Sequence, residues 1–165
     1  MASQTIFDRL KVDHDKHRQL IAAIVETTGD SPDRKQLFEQ FKVDATAHAA
    51  AEEETFYATI MQESDLREDA RHSVTEHNEL AELFIELSDM DMASPGWLNK
   101  FHKLEEKYLH HIKEEEEEKF PKAQEEMPRE EQVRLKDEFN KRKPEEVERA
   151  EEGADEEEIR KEMSE

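Results

Sequence analysis

Residues 48–57, His48-Ala49-Ala50-Ala51-Glu52-Glu53-Glu54-Thr55-Phe56-Tyr57, are echoed 63 positions later by His111-Ile112-Lys113-Glu114-Glu115-Glu116-Glu117-Glu118-Lys119-Phe120. In both copies a Glu follows the His at four residues, which puts the two side chains on one face of a helix. The same offset carries His14 onto His77 and Asp13 onto Glu76. Apolar positions follow it too: Leu20 and Leu83, Ile21 and Phe84, Ile24 and Leu87, Phe38 and Phe101, Phe41 and Leu104. The chain reads as two helical hairpins. In each, the first helix supplies one His and the second supplies a His and a Glu.

Periodicity sets the architecture around this repeat. Apolar residues and His recur at spacings of three and four over residues 5–27, 33–63, 67–89 and 97–119, the pattern of amphipathic helices. Ser31 followed by Pro32 resembles a helix start, with the serine as cap and the proline in the first turn. Pro121 is expected to kink or end the fourth helix. Four helices joined by short loops predict an all-α, up-down-up-down four-helix bundle over residues 1–126. Residues 127–143 carry Val133, Leu135 and Phe139 and suit a short C-terminal helix packed on the bundle. Residues 144–165 are mostly Glu, and composition predicts a disordered or weakly helical acidic tail.

Composition narrows function. The 165 residues hold 45 Asp+Glu against 24 Lys+Arg, a formal net charge of −21. Such a chain repels nucleic-acid phosphates and anionic membranes. No apolar run approaches the ~20 residues of a membrane span, and the first residues have no signal-peptide core. A cytoplasmic location is expected. Without Cys there is no thiolate zinc site, iron–sulfur cluster or Cys nucleophile. The eight His are the unusual resource.

His-x-x-x-Glu alone is a weak signal in so Glu-rich a chain: His48, His72, His102, His110 and His111 all have Glu at the fourth following position. Phase and repeat select among them. His14, His48, His77, His111, Glu52 and Glu115 lie on the apolar stripes of their helices, whereas His72, His102 and His110 repeat onto Arg9, Glu39 and Ala47. His17 repeats onto Leu80 and reads as core or site wall. Tyr108, three residues before His111, reads as core or as a hydrogen-bond donor behind the site. A carboxylate buried in a bundle is costly without a cation. Four imidazoles and two carboxylates can supply two metals bridged by carboxylate, and a mixed nitrogen and oxygen set suits non-heme iron or manganese. The alternative is a buried polar network without metal. The ferritin-like Glu-x-x-His pattern and the metalloprotease His-Glu-x-x-His pattern are both absent.

Asp13-His14, His48-x-x-x-Glu52-Glu53 with Phe56-Tyr57, Glu76-His77, and His110-His111-x-x-x-Glu115-Glu116 with Phe120-Pro121 together resemble the hemerythrin-like family, the HHE cation-binding domain, over residues 5–126. The resemblance implies a bundle holding two non-heme irons with carboxylate and oxo or hydroxo bridges, reacting with dioxygen or peroxide. It implies His14, His48, His77 and His111 as terminal ligands and Glu52 and Glu115 as bridging carboxylates. The oxygen-carrying members have a second His four residues before the third-helix one, where this chain has Ser73. An iron-binding or iron- and oxygen-sensing module without turnover is the second expectation, and a metal-free acidic scaffold is the third. The number of subunits is not encoded in these patterns.

Overall fold

The computed structural model describes residues 3–165 and is all-helical, with no strand among the described residues. Helix α1 (Ile6–Val25) begins at Thr5, whose hydroxyl accepts from the Asp8 amide while the Asp8 carboxylate accepts from the Thr5 amide, a reciprocal cap. Helix α2 (Pro32–Glu52) starts at Ser31 with Pro32 in its first turn, as the sequence predicts. It runs through a π-helical turn at Glu53–Tyr57 into the short α3 (Ala58–Ile60). Helix α4 (Arg67–Asp89) and helix α5 (Pro95–Glu114) form the second hairpin. A second π turn, Glu115–Lys119, leads into α6 (Phe120–Glu126). Pro121 therefore sits in the first turn of α6 and does not end the helix. A proline there has no amide to satisfy, and the widened turn before it relieves the clash.

The C-terminal region departs from expectation. Helix α7 (Arg129–Glu152) continues through Pro144, and α8 (Ala154–Met163) follows after Gly153. The predicted break at residue 144 is absent because α7 has a buried stripe that crosses it: Gln132, Leu135, Phe139, Lys143 and Glu146. Three of these five are polar or charged, so a hydrophobicity pattern misses the stripe. Val133 is only half-buried, and Gln132 takes the inward position. Helix α7 packs mainly on α2 and α1, and α8 lies on α4. Helix α8 buries no side chain of its own.

Two apolar clusters divide the bundle. One gathers Ile6, Leu10, Phe56, Ile60 and Phe120 with Leu135 and Phe139 of α7. The other gathers Ile24, Phe38, Phe41, Phe84, Trp97 and Phe101. Along α1 the chain passes from Leu10 in the first cluster through His14 and His17 to Leu20 in the second. The four His-bearing helices do the same, so the polar donors form a layer between two greasy ends. At the second end Arg34 ties the inter-helix loops together. Its guanidinium donates to the carbonyls of Thr27 and Met92 and lies over the Trp97 ring.

Candidate metal centre

The structure brings all six of His14, His48, Glu52, His77, His111 and Glu115 into that central layer, each at most 8% exposed. Donor atoms of Glu52, His77, His111 and Glu115 lie within 4.8 Å of one another, and so do those of His14, His48 and Glu52. Glu52 belongs to both groups, which is the geometry of two neighbouring sites sharing a carboxylate.

The repeat becomes a spatial exchange between the hairpins. His14 Nε2 lies 3.3 Å from Glu115 of the other hairpin, and His77 Nε2 lies 3.2 Å from Glu52. His48 and His111 face the Glu of their own helix at 3.6 and 3.3 Å. The four imidazoles thus turn Nε2 inward. Each Nδ1 donates outward to a carboxylate: His14 to Glu116 at 2.6 Å, His48 to Asp13 at 2.8 Å, His77 to Glu53 at 2.8 Å and His111 to Glu76 at 2.9 Å. These outer acceptors obey the same 63-residue repeat. Carboxylates in this position fix the ring orientation and raise the basicity of the inward nitrogen.

Sequence reading leaves Asp13 and Glu76 as candidate surface charges, because each neighbours a site His on its own helix and points elsewhere. They do point elsewhere, and what they meet is the His of the adjacent helix. No spacing rule within one helix detects such a pairing. Tyr57 is a further addition. It emerges from the first π turn and donates its hydroxyl to Glu115 Oε2, and burial with Glu115 beside it holds its phenol well above the usual range. Its repeat partner is Phe120, so only one of the two central carboxylates receives this bond.

The remaining His stay outside the layer. His17 is buried, donates Nε2–H to Asp44 at 2.5 Å and accepts at Nδ1 from Tyr108 at 2.6 Å, so both ring nitrogens are used. Burial pushes it down to about 4 despite Asp44. Tyr108 therefore braces His17 and gives no bond to the central layer. His72 and His110 are exposed and meet Glu76 or Glu114 at 3.4 Å. His72, Glu76 and Glu114 form a third donor group, yet the Lys119 ammonium stands 3.8 Å from Glu76 and 3.6 Å from Glu114 and already supplies its cation. Phe84 and Tyr108 line the cavity beside the donors, while Phe41 and Leu104 pack in the apolar cluster behind them.

The central layer is electrostatically unfinished. His14 Nε2, His48 Nε2, both oxygens of Glu52 and Oε1 of Glu115 are buried with no hydrogen-bond partner. Buried polar atoms are nearly always satisfied, and here five converge from α1, α2 and the π turn after α5. Burial depresses the imidazoles, but the facing carboxylates outweigh it, raising His14 to about 9 and His77 to about 10. Glu52 is driven well below its ordinary value, burial being overcome by His48 and His77. Protons thus stand in for positive charge that a cation would supply, and the donor set fits one.

The hemerythrin HHE cation-binding domain model matches residues 5–123. The fold is similar to the crystal structure of a hemerythrin HHE cation binding domain-containing protein from Mycobacterium kansasii, with a TM-score of 0.77, 19% identity and 91% of each chain covered. No curated protein matches the chain. A helical bundle with this inward donor layer and this family match defines a cation-binding domain. The chain belongs to the hemerythrin HHE cation-binding domain family.

Proposed function

We infer that the protein is a non-heme di-iron protein that binds dioxygen or reacts with peroxide inside the bundle. The observation that carries this reading is the set of five buried donor atoms without partners, shared between two groups that meet at Glu52. His14, His48, His77 and His111 would hold the ions through Nε2, with Glu52 and Glu115 as bridges, on the up-down-up-down four-helix core expected for such a domain. Nitrogen and carboxylate ligands without thiolate suit iron. A bound iron pair supplies electron transfer to and from an oxygen species.

The chain's own groups do the rest. The outer carboxylates lock each ring. The Tyr57 hydroxyl donates to Glu115 and, held well above the usual phenol range by burial and that carboxylate, places a proton beside the donor layer. Phe84, Leu80 and Ile112 give the cavity beside the layer an apolar side.

Elemental analysis of protein made with ample iron and purified without chelator tests the reading. About two irons per chain, with absorption bands that change on adding peroxide or azide, are expected. Two irons with peroxide consumption no faster than free iron would favour the iron-holding or sensing alternative. Less than one transition metal per chain after anaerobic reconstitution would overturn the metal reading in favour of an acidic scaffold.

A further inference from the structure

The donors are almost completely buried, so any ion must reach them through the protein. A cavity of about 340 Å³ joins them to solvent. Its inner wall includes His48, His77, His111 and Glu115, all donors of the central layer. Between α2 and α4 its lining includes the small side chains Ala45, Ala49 and Ala81. Its outer wall is made by α7 and α8, with Glu158 and Glu162 on α8. Both are exposed and sit four residues apart on one face.

These two carboxylates differ from their neighbours. Asp155 pairs with Arg149, and Glu156 with Arg160 and Lys42. Among the described residues, no Lys, Arg or His nitrogen forms an ion pair with Glu158 or Glu162. At the far end of the same cavity lie buried donors with no partner, His48 Nε2 and Glu115 Oε1. Unpaired carboxylates thus stand at the mouth of the cavity and partnerless buried donor atoms at its inner end, and Glu53, Glu54, Glu146 and Asp155 also line it against a single arginine, Arg149. A cleft lined mainly by one sign of charge focuses the field and raises the local concentration of cations.

The wall that carries the mouth is lightly attached. Helix α8 buries no side chain. It joins α7 through Gly153, whose φ of +74° lies in the left-handed region. It is fastened to the bundle mainly by Arg160, which donates twice to Asp89 at 2.8 Å.

We propose that this α2–α4 passage is the route by which divalent cations reach the buried donors, with Glu158 and Glu162 of α8 as the carboxylates that draw them in. The route rests on the metal reading above but assigns a role to residues outside the donor layer and outside the span matched by the family. It is a role in rate, since neither residue contacts the donors. Equilibrium occupancy is therefore left unchanged by their loss.

The test uses the full chain freed of metal and mixed rapidly with Co2+, whose uptake is followed by its visible absorption. In E158Q/E162Q the uptake rate is expected to fall about fivefold at low salt, a part of the roughly 10–10³-fold that electrostatic steering by a whole cleft can supply. The difference shrinks at high salt as the mouth is screened. The final Co2+ content matches the unsubstituted protein. E125Q/E126Q on α6, which changes net charge equally away from the cavity lining, is expected to keep the original rate. Equal rates in all three proteins, or equal slowing in both variants, would overturn the route while leaving the metal reading intact. Failure of the unsubstituted protein to take up any Co2+ would remove the metal reading, and the route with it.

Discussion

Lys143 Nζ stands 2.8 Å from Asp13 Oδ2, the same oxygen that takes the Nδ1 proton of His48 at 2.8 Å. A side chain from α7 thereby holds a carboxylate that holds a central His. Lys143 also reaches Asp44 at 3.1 Å, which accepts from His17. One buried ammonium serves both braces, and Phe139 one turn earlier packs edge-on against the His48 ring at 5.7 Å. The C-terminal helix is part of the scaffold of the donor layer.

Replacing Lys143 by Met is accordingly expected to cost about 2 kcal/mol, the loss of charge-assisted bonds to two carboxylates that keep only Arg9 and Lys16 as cation partners. Urea denaturation of the metal-free protein measures it. Metal affinity should fall about tenfold as His48 loses its fixed orientation. An unchanged urea midpoint would show that the acids find compensation elsewhere, and the scaffold role of α7 would fall.

The metal-free protein should lose stability on both sides of neutrality. His14 and His77 titrate at about 9 and about 10 in the fold, above the roughly 6.5 of an unfolded His. Their contribution is complete below pH ~6.5 and drains away as the pH climbs through those folded values. His17 is shifted the opposite way, to about 4. Its contribution is present above pH ~6.5 and is lost as the pH falls through 4. Thermal melting from pH 4 to 10 after chelation checks both limbs. A flat profile between pH 7 and 10 would contradict the paired His and Glu of the central layer.

Metal loading should release protons. At pH 7 His14 and His77 carry theirs, and a ligand imidazole must be neutral, so binding expels about one from each. Calorimetric titration with Co2+ in two buffers of different ionisation enthalpy reads the number directly. The same ligand should stabilise the fold by about 4 kcal/mol at a thousandfold excess over Kd. In Glu52→Gln most of that gain disappears, since Glu52 is the residue common to both donor groups. Retention of the full gain would exclude Glu52 from the site.

Truncating Trp97 to Ala tests the apolar end separately. Its ring is fully buried, stacks on Phe101 at 5.4 Å and donates to the Leu87 carbonyl. A loss of about 3–5 kcal/mol is expected, with proton release on metal binding unchanged in any protein that remains folded. Altered proton release would mean that the two apolar clusters and the polar layer are not independent.

The helical class was legible in the chain because a period of 3.6 requires only local information. The same local stripe singled out His14, His48, His77 and His111 among eight His, and the 63-residue offset tied them to Glu52 and Glu115. The reading of the C-terminal region weighs hydrophobicity, so it places a boundary at Pro144, across which α7 runs; the Glu-rich segment beyond, read as disordered or weakly helical, forms the exposed helix α8. Lys143 is buried by pairing with Asp13 and Asp44 of other helices, and that depends on which neighbour arrives; Glu146 is held by Arg142 and Arg149 of its own helix. The π turns after Glu52 and Glu115 were equally invisible, because one wide turn leaves no residue type behind.

Sequence by itself therefore determined the helices, their inward faces and the duplicated set of donors. Tertiary structure alone decided who meets whom. It sent Asp13 to His48 and Glu76 to His111 across helix boundaries, exchanged Glu52 and Glu115 between hairpins, and laid α7 and α8 over the passage to the donors. The physical reason is range. Periodicity acts through neighbours on one helix, whereas buried charges are satisfied by whichever partner the packing brings within about 3 Å.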